Sequence, residues 1–76
     1  MPTILRHGGF EVRIQTADHE PPHVHVYNAG GMVKIELEPI RTKSRSGMSA
    51  QMAAQAERIV AQHQGMLLEA WRKIHG

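Results

Sequence analysis

The sequence predicts an α+β domain: a three- to four-stranded antiparallel meander with one long C-terminal helix packed on a face of it. Three observations carry this. Three runs within residues 10–38 alternate apolar and polar side chains with period two; glycine pairs and prolines punctuate those runs; and after residue 49 the apolar spacing becomes helical. With 76 residues, a single domain over 1–76 is expected, burying roughly 60% of its unfolded surface.

The elements follow in order. Thr3-Ile4-Leu5-Arg6 is a short strand ending at the turn Gly8-Gly9. Phe10 to Gln15 alternates cleanly, with Phe10, Val12 and Ile14 on one side. Thr16 to Pro22 holds two adjacent prolines, which remove ladder donors, and is read as a loop. His23 to Tyr27 and Met32 to Glu38 form a hairpin through Asn28-Ala29-Gly30-Gly31, where glycine accepts the positive φ such turns need. Pro39 ends the last strand, so the sheet spans about 3–38. Arg41 to Gly47 reads as a basic loop, and Ser49 as the N-cap of a helix over about 49–75.

That helix has an apolar stripe of Met52, Ala56, Ile59, Val60, Leu67, Ala70, Trp71 and Ile74. Its phase is unbroken across Gly65, which argues for one helix, bent at most near Gly65. Trp71 reads as a packing residue, Met52 and Met66 likewise, with His63 at the core edge and His75 in a frayed last turn. Some 26 residues would make a rod of about 39 Å, whereas a domain of this size is near 30 Å across. Leu67, Trp71 and Ile74 are therefore expected to bury on a second copy or a partner protein; a bend folding the end back is the competing arrangement.

Composition narrows the class. There is no cysteine, which excludes disulfides, iron–sulfur clusters and thiolate zinc sites. Nine Lys and Arg against seven Asp and Glu leave a net charge of +2, too small to assign nucleic-acid binding by itself. No apolar run reaches the length of a membrane helix and the first residues do not read as a signal peptide, so a cytoplasmic protein is expected.

Period two sorts the side chains by face. Phe10, Val12, Ile14, Val24, Val26, Val33, Ile35 and Leu37 share one side, beneath the helix. Glu11, Arg13, His23, His25, Tyr27, Lys34, Glu36 and Glu38 share the other. Pairing Tyr27 with Met32 sets His23 opposite Glu36 and His25 opposite Lys34.

The densest chemistry is Asp18-His19-Glu20-Pro21-Pro22-His23-Val24-His25. His23 and His25 project to one side of a strand roughly 7 Å apart, which suits a shared transition metal completed by His19, Asp18 or Glu20. The same pattern also fits a rigid turn whose histidines cap backbone groups or pair with Glu36 and Glu38. As a third possibility, His19, His23 and His25 suit general acid–base cleavage of RNA, with Arg13, Lys34 and Arg41 supplying charge. Arg41, Lys43 and Arg45 recur at every second position, so an extended backbone would aim all three at a phosphate chain. No nucleophile triad or phosphate-cradling glycine loop is found, and the residues name no cofactor.

Met1-Pro2-Thr3-Ile4, Gly8-Gly9, the block from Asp18 to Val26, Leu37-Glu38-Pro39 and Leu67-Leu68-Glu69-Ala70-Trp71 together resemble the prokaryotic family called domain of unknown function 4160. The resemblance covers nearly the whole chain. It implies a toxin-type component of a two-gene, toxin–antitoxin-like module, neutralised by a small protein of the family domain of unknown function 2442. A ribonuclease-like activity centred on His19, His23 and His25 is one expectation. A non-catalytic binding module, metal-stabilised or blocking a protein target, is the other.

Overall fold

The computed structural model describes residues 3–75; Met1 and Pro2 of the opening motif lie outside them, as does Gly76. Five strands run in sequence, β1 (Thr3–His7), β2 (Phe10–Arg13), β3 (His23–Asn28), β4 (Gly31–Leu37) and β5 (Ile40–Ser46), followed by α1 (Ala50–Gln62) and α2 (Gln64–His75). Each strand pairs antiparallel with its chain neighbours, giving the order β1-β2-β3-β4-β5. The α+β meander is thus as expected, with one strand more and two helices in place of one.

Turn chemistry sets the register. Gly8 and Gly9 have φ of 55° and 84°, and Ala29 and Gly30 of 48° and 82°, the two positive values that a tight hairpin requires to match strand twist. Asn28 pairs with Gly31 and Tyr27 with Met32, so His23 lies opposite Glu36 and His25 opposite Lys34, the expected register. A Cβ on Gly31 would collide with the Gly47 carbonyl oxygen, so this close approach of backbones admits glycine only.

The segment expected to be a basic loop is the edge strand β5. It carries one apolar residue, Ile40, and so has no hydrophobic alternation to read; its ladder to β4 and its polar contacts hold it. Thr42 Oγ1 donates to Glu57 Oε2 of α1 at 2.7 Å, and Arg45 Nη1 to the Met48 carbonyl at 2.8 Å. A register shift between Lys34 and Ile35 leaves Lys43 in a bulge, so Arg41 pairs with Glu36 while Arg45 pairs with Val33. Paired residues share a face, which puts Arg41 and Arg45 on opposite faces. The expected common direction of Arg41, Lys43 and Arg45 is corrected by that bulge.

All eight residues assigned to the core face are buried, together with Met48, Ala53, Ala56, Ile59, Val60, Leu67, Leu68 and Trp71. Ile4, Leu5, Ile40, Met52, Ala70 and Ile74 pack around them. Met66, read as core, is instead exposed.

The helix breaks at His63 and not at Gly65. Ser49 Oγ accepts the Met52 N–H, as an N-cap should. At the other end His63 leaves helical geometry (φ −117°, ψ 20°), its N–H donates to the Val60 carbonyl and its Nδ1 to the Ile59 carbonyl at 2.8 Å. Those contacts satisfy acceptors that a helix end leaves free. Gln64 Nε2 then donates to the Leu37 carbonyl at 2.7 Å, fixing the start of α2 to the end of β4.

Two helices of about 20 and 18 Å fit a body of 32 × 23 × 20 Å. Leu67 and Trp71 are buried in this chain's own core, with Ile74 packed against it. The fold-back at His63 thereby replaces the interface expected of Leu67, Trp71 and Ile74. Among the described residues no helix is long and apolar enough to cross a membrane.

Candidate metal centre

Between β2 and β3 the chain makes a loop over residues 14–22 that ends in the two prolines. The Asp18 N–H donates to the Gln15 carbonyl at 3.1 Å, and the Gln15 N–H donates to Asp18 Oδ2 at 3.2 Å. This reciprocal pair closes the turn and fixes the carboxylate, a local side-chain-to-backbone bond of the kind short acidic side chains make. Its Oδ2 is aimed at the first residues of β3.

His23 and His25 stand two apart on that strand, with ring centroids 5.3 Å apart and planes nearly perpendicular. His23 Nε2 lies 3.3 Å and His25 Nδ1 3.8 Å from Asp18 Oδ2. All three ligand atoms fall within 4.8 Å of one another. A tetrahedral ion with bonds of about 2.1 Å separates its ligands by about 3.4 Å, so Asp18, His23 and His25 form a group that could hold a metal.

Hydrogen bonding orients the ligands. His23 Nδ1 is 2.9 Å from the Pro21 carbonyl; a carbonyl only accepts, so Nδ1 carries the proton and the lone pair of the neutral ring sits on Nε2, facing Asp18. A backbone acceptor on the far nitrogen is the usual support of a metal-ligating histidine. His25 Nδ1 is buried and has no hydrogen-bond partner among the described residues, a state that costs about 1–3 kcal/mol when nothing compensates it. Burial holds His25 below its ordinary pKa of 6.5; Asp18 opposes that shift, while His23 and Lys34 add to it. The ring is thus kept in the neutral form that binds metals.

The C-terminal helix clasps the loop at both ends. Trp71 Nε1 donates to Glu20 Oε2 at 3.1 Å, and the indole lies 5.2 Å from the His23 ring. His75 stacks on Trp71 at 3.8 Å, and its Nε2 lies 3.1 Å from the Gln15 carbonyl. His75 is therefore tied down, not frayed.

Of the five residues proposed as ligands, three come together. His19 and Glu20 are exposed and stand outside the group; Glu20 holds Trp71 instead. The same separation removes His19 from the expected histidine trio, leaving only His23 and His25 in contact. Arg13 and Lys34 flank His25 on β2 and β4. Arg13 Nη2 donates to Glu11 Oε1 at 2.6 Å, and its guanidinium lies over Tyr27 at 4.5 Å. Glu11 also accepts Thr3 Oγ1 at 2.6 Å and Arg6 Nη2 at 3.3 Å. The Thr3 hydrogen bond foremost, then Arg13, hold its pKa near 2, against an ordinary 4.5.

Residues 9–72 match the family model described as Domain of unknown function (DUF4160). The chain belongs to that family. The DUF4160 match runs from the β1–β2 turn into the last turns of α2 and includes Asp18, His23 and His25. Neither a curated protein nor a solved structure matches the chain.

The supports of the DUF4160 site were not legible beforehand. Gln15, Trp71 and His75 reach it through contacts spanning up to 60 positions, which no local spacing encodes. Only the Asp18–Gln15 turn has a short-range signal, an aspartate three residues after the backbone group it caps.

Proposed function

We propose that this protein is a metal-binding module in which Asp18, His23 and His25 hold a divalent transition metal, with zinc as the first candidate. The observation that carries the reading is the convergence of His23 Nε2, His25 Nδ1 and Asp18 Oδ2 within 4.8 Å, with the other nitrogen of His23 already engaged by Pro21. Two imidazoles and one carboxylate suit zinc and its neighbours better than magnesium or calcium, which prefer all-oxygen shells. Three protein ligands leave a fourth position open. Metal-free cleavage of RNA by His19, His23 and His25 fits less well, because His19 stands outside the group that His23 and His25 form.

For the cellular role we take the toxin-type component of a two-gene module, neutralised by a small partner protein; the family resemblance supports it. Metal binding is tested by adding zinc to metal-stripped protein. At a free concentration one hundred times the Kd, stability rises by about 2.7 kcal/mol, or roughly 10–20 °C in Tm for a domain this small. The Asp18→Asn and His25→Ala proteins should lose that response. An unchanged melting curve at saturating zinc would end the metal reading. Expression with and without the partner gene, repeated with His23→Ala/His25→Ala, tests the cellular half.

A further inference from the structure

One row of paired residues crosses the whole sheet at the metal group. Thr3 pairs with Arg13, Arg13 with His25, His25 with Lys34 and Lys34 with Ser44. Directly paired residues project to one face, here the face opposite the helices. The row holds two hydroxyls, two cations and a ligand imidazole, and no carboxylate. Its two cations differ in availability. Arg13 is bound to Glu11, whereas among the described residues no carboxylate lies within ion-pair distance of Lys34. Glu36, two residues along β4 on the same face, is paired across the strands with His23 and Arg41.

We propose that the metal-loaded group is a phosphate-binding site, in which a phosphate oxygen fills the open coordination position beside His25 and Lys34 binds a second oxygen. The inference rests on the metal reading above. A divalent ion on one carboxylate leaves a net positive charge, and Lys34 in the adjacent strand adds another. Cross-strand pairing sets Lys34 beside His25, near enough for its charge to act on that ring, and hydrogen bonds to an ionised group are the strong kind. Arg13 fixes the opposite flank of His25 through its contacts to Glu11 and Tyr27. Ser44, next in the row, extends the polar track in the direction a phosphodiester chain would continue.

The test has two stages on the intact chain. Zinc affinity is measured first, on the native protein, Lys34→Met and Lys73→Met, the last removing an exposed cation paired with Glu69 on α2. Calorimetric titration with inorganic phosphate and with a short single-stranded oligouridylate then follows, with and without zinc. Zinc should bind all three proteins, and Lys34→Met, which has lost a cation beside His25, no more weakly than the native chain. Phosphate should bind only the zinc-loaded form, roughly tenfold or more weakly in Lys34→Met and unchanged in Lys73→Met. Tighter binding of the oligonucleotide than of phosphate assigns the source to a nucleic-acid backbone, and the reverse to a free phosphate. Failure to bind zinc would overturn the metal reading and this inference together. Zinc binding without phosphate binding, or phosphate binding indifferent to Lys34→Met, would overturn this inference alone.

Discussion

The indole N–H of Trp71 donates to Glu20 Oε2 across 51 positions of chain, at 3.1 Å. One ring thus fills the core beneath the sheet and anchors the loop that carries Asp18.

Replacing Trp71 with alanine should cost roughly 3–5 kcal/mol by chemical denaturation, the usual range for deleting a buried aromatic ring. Trp71→Phe keeps most of the packing and removes the bond to Glu20, so it should cost less while weakening zinc binding. Equal zinc affinity in Trp71→Phe and native protein would show that the loop needs no such anchor.

Leu67 is fully buried in its own chain. Leu67→Glu should therefore destabilise by more than about 3 kcal/mol, combining a lost core side chain with a buried charge. Sedimentation of the native chain with urea melts of the variant decides the matter. A stable variant that merely changes association state would return Leu67 to an interface.

His25 sets a pH dependence near neutrality. Its folded pKa lies below the ordinary 6.5 because burial disfavours the charged ring. Between the two values the unfolded chain binds the extra proton, so stability rises with pH there. This contribution is fully present above 6.5 and is lost as pH falls through the folded value. Metal-free protein should soften on acidification from pH 6.5, and His25→Ala should flatten that limb. NMR titration of the ring should place its midpoint below 6.5.

Glu11 acts at lower pH. With its pKa near 2 against an ordinary 4.5, its contribution is present above 4.5 and lost as pH falls towards 2. Glu11→Gln should remove that acid-side slope. Thr3→Val, which deletes the leading hydrogen bond, should raise the carboxyl's midpoint as read by NMR.

The inward face and the β3–β4 register were legible because strict alternation and a glycine turn each admit one solution. β5 was not, since Arg41 to Ser46 carries no apolar residue; an edge strand is held by ladder bonds, which leave no hydrophobic trace. Lys43 in a bulge is also a common way to keep an edge from pairing with strangers. The break at His63 was hidden because the apolar stripe keeps its phase through it, while the causes are hydrogen bonds to Ile59 and Leu37. In the metal group, His23 and His25 follow from strand geometry. Choosing Asp18 over His19 and Glu20 required the shape of the loop, which depends on the backbone of Gln15.

The strictly sequential strand order bears on how the chain reaches its native state. Every strand pairing is a hairpin between chain neighbours, and loops this short close cheaply. The three metal ligands lie within residues 18–25, so a partly folded chain in which β2, β3 and the Gln15–Asp18 turn between them have formed already carries the full set. Zinc supplied during refolding would then speed the forward reaction and not merely slow the reverse one. The C-terminal helix, whose Trp71 and His75 close over that loop, would then tighten a site whose ligands are already gathered.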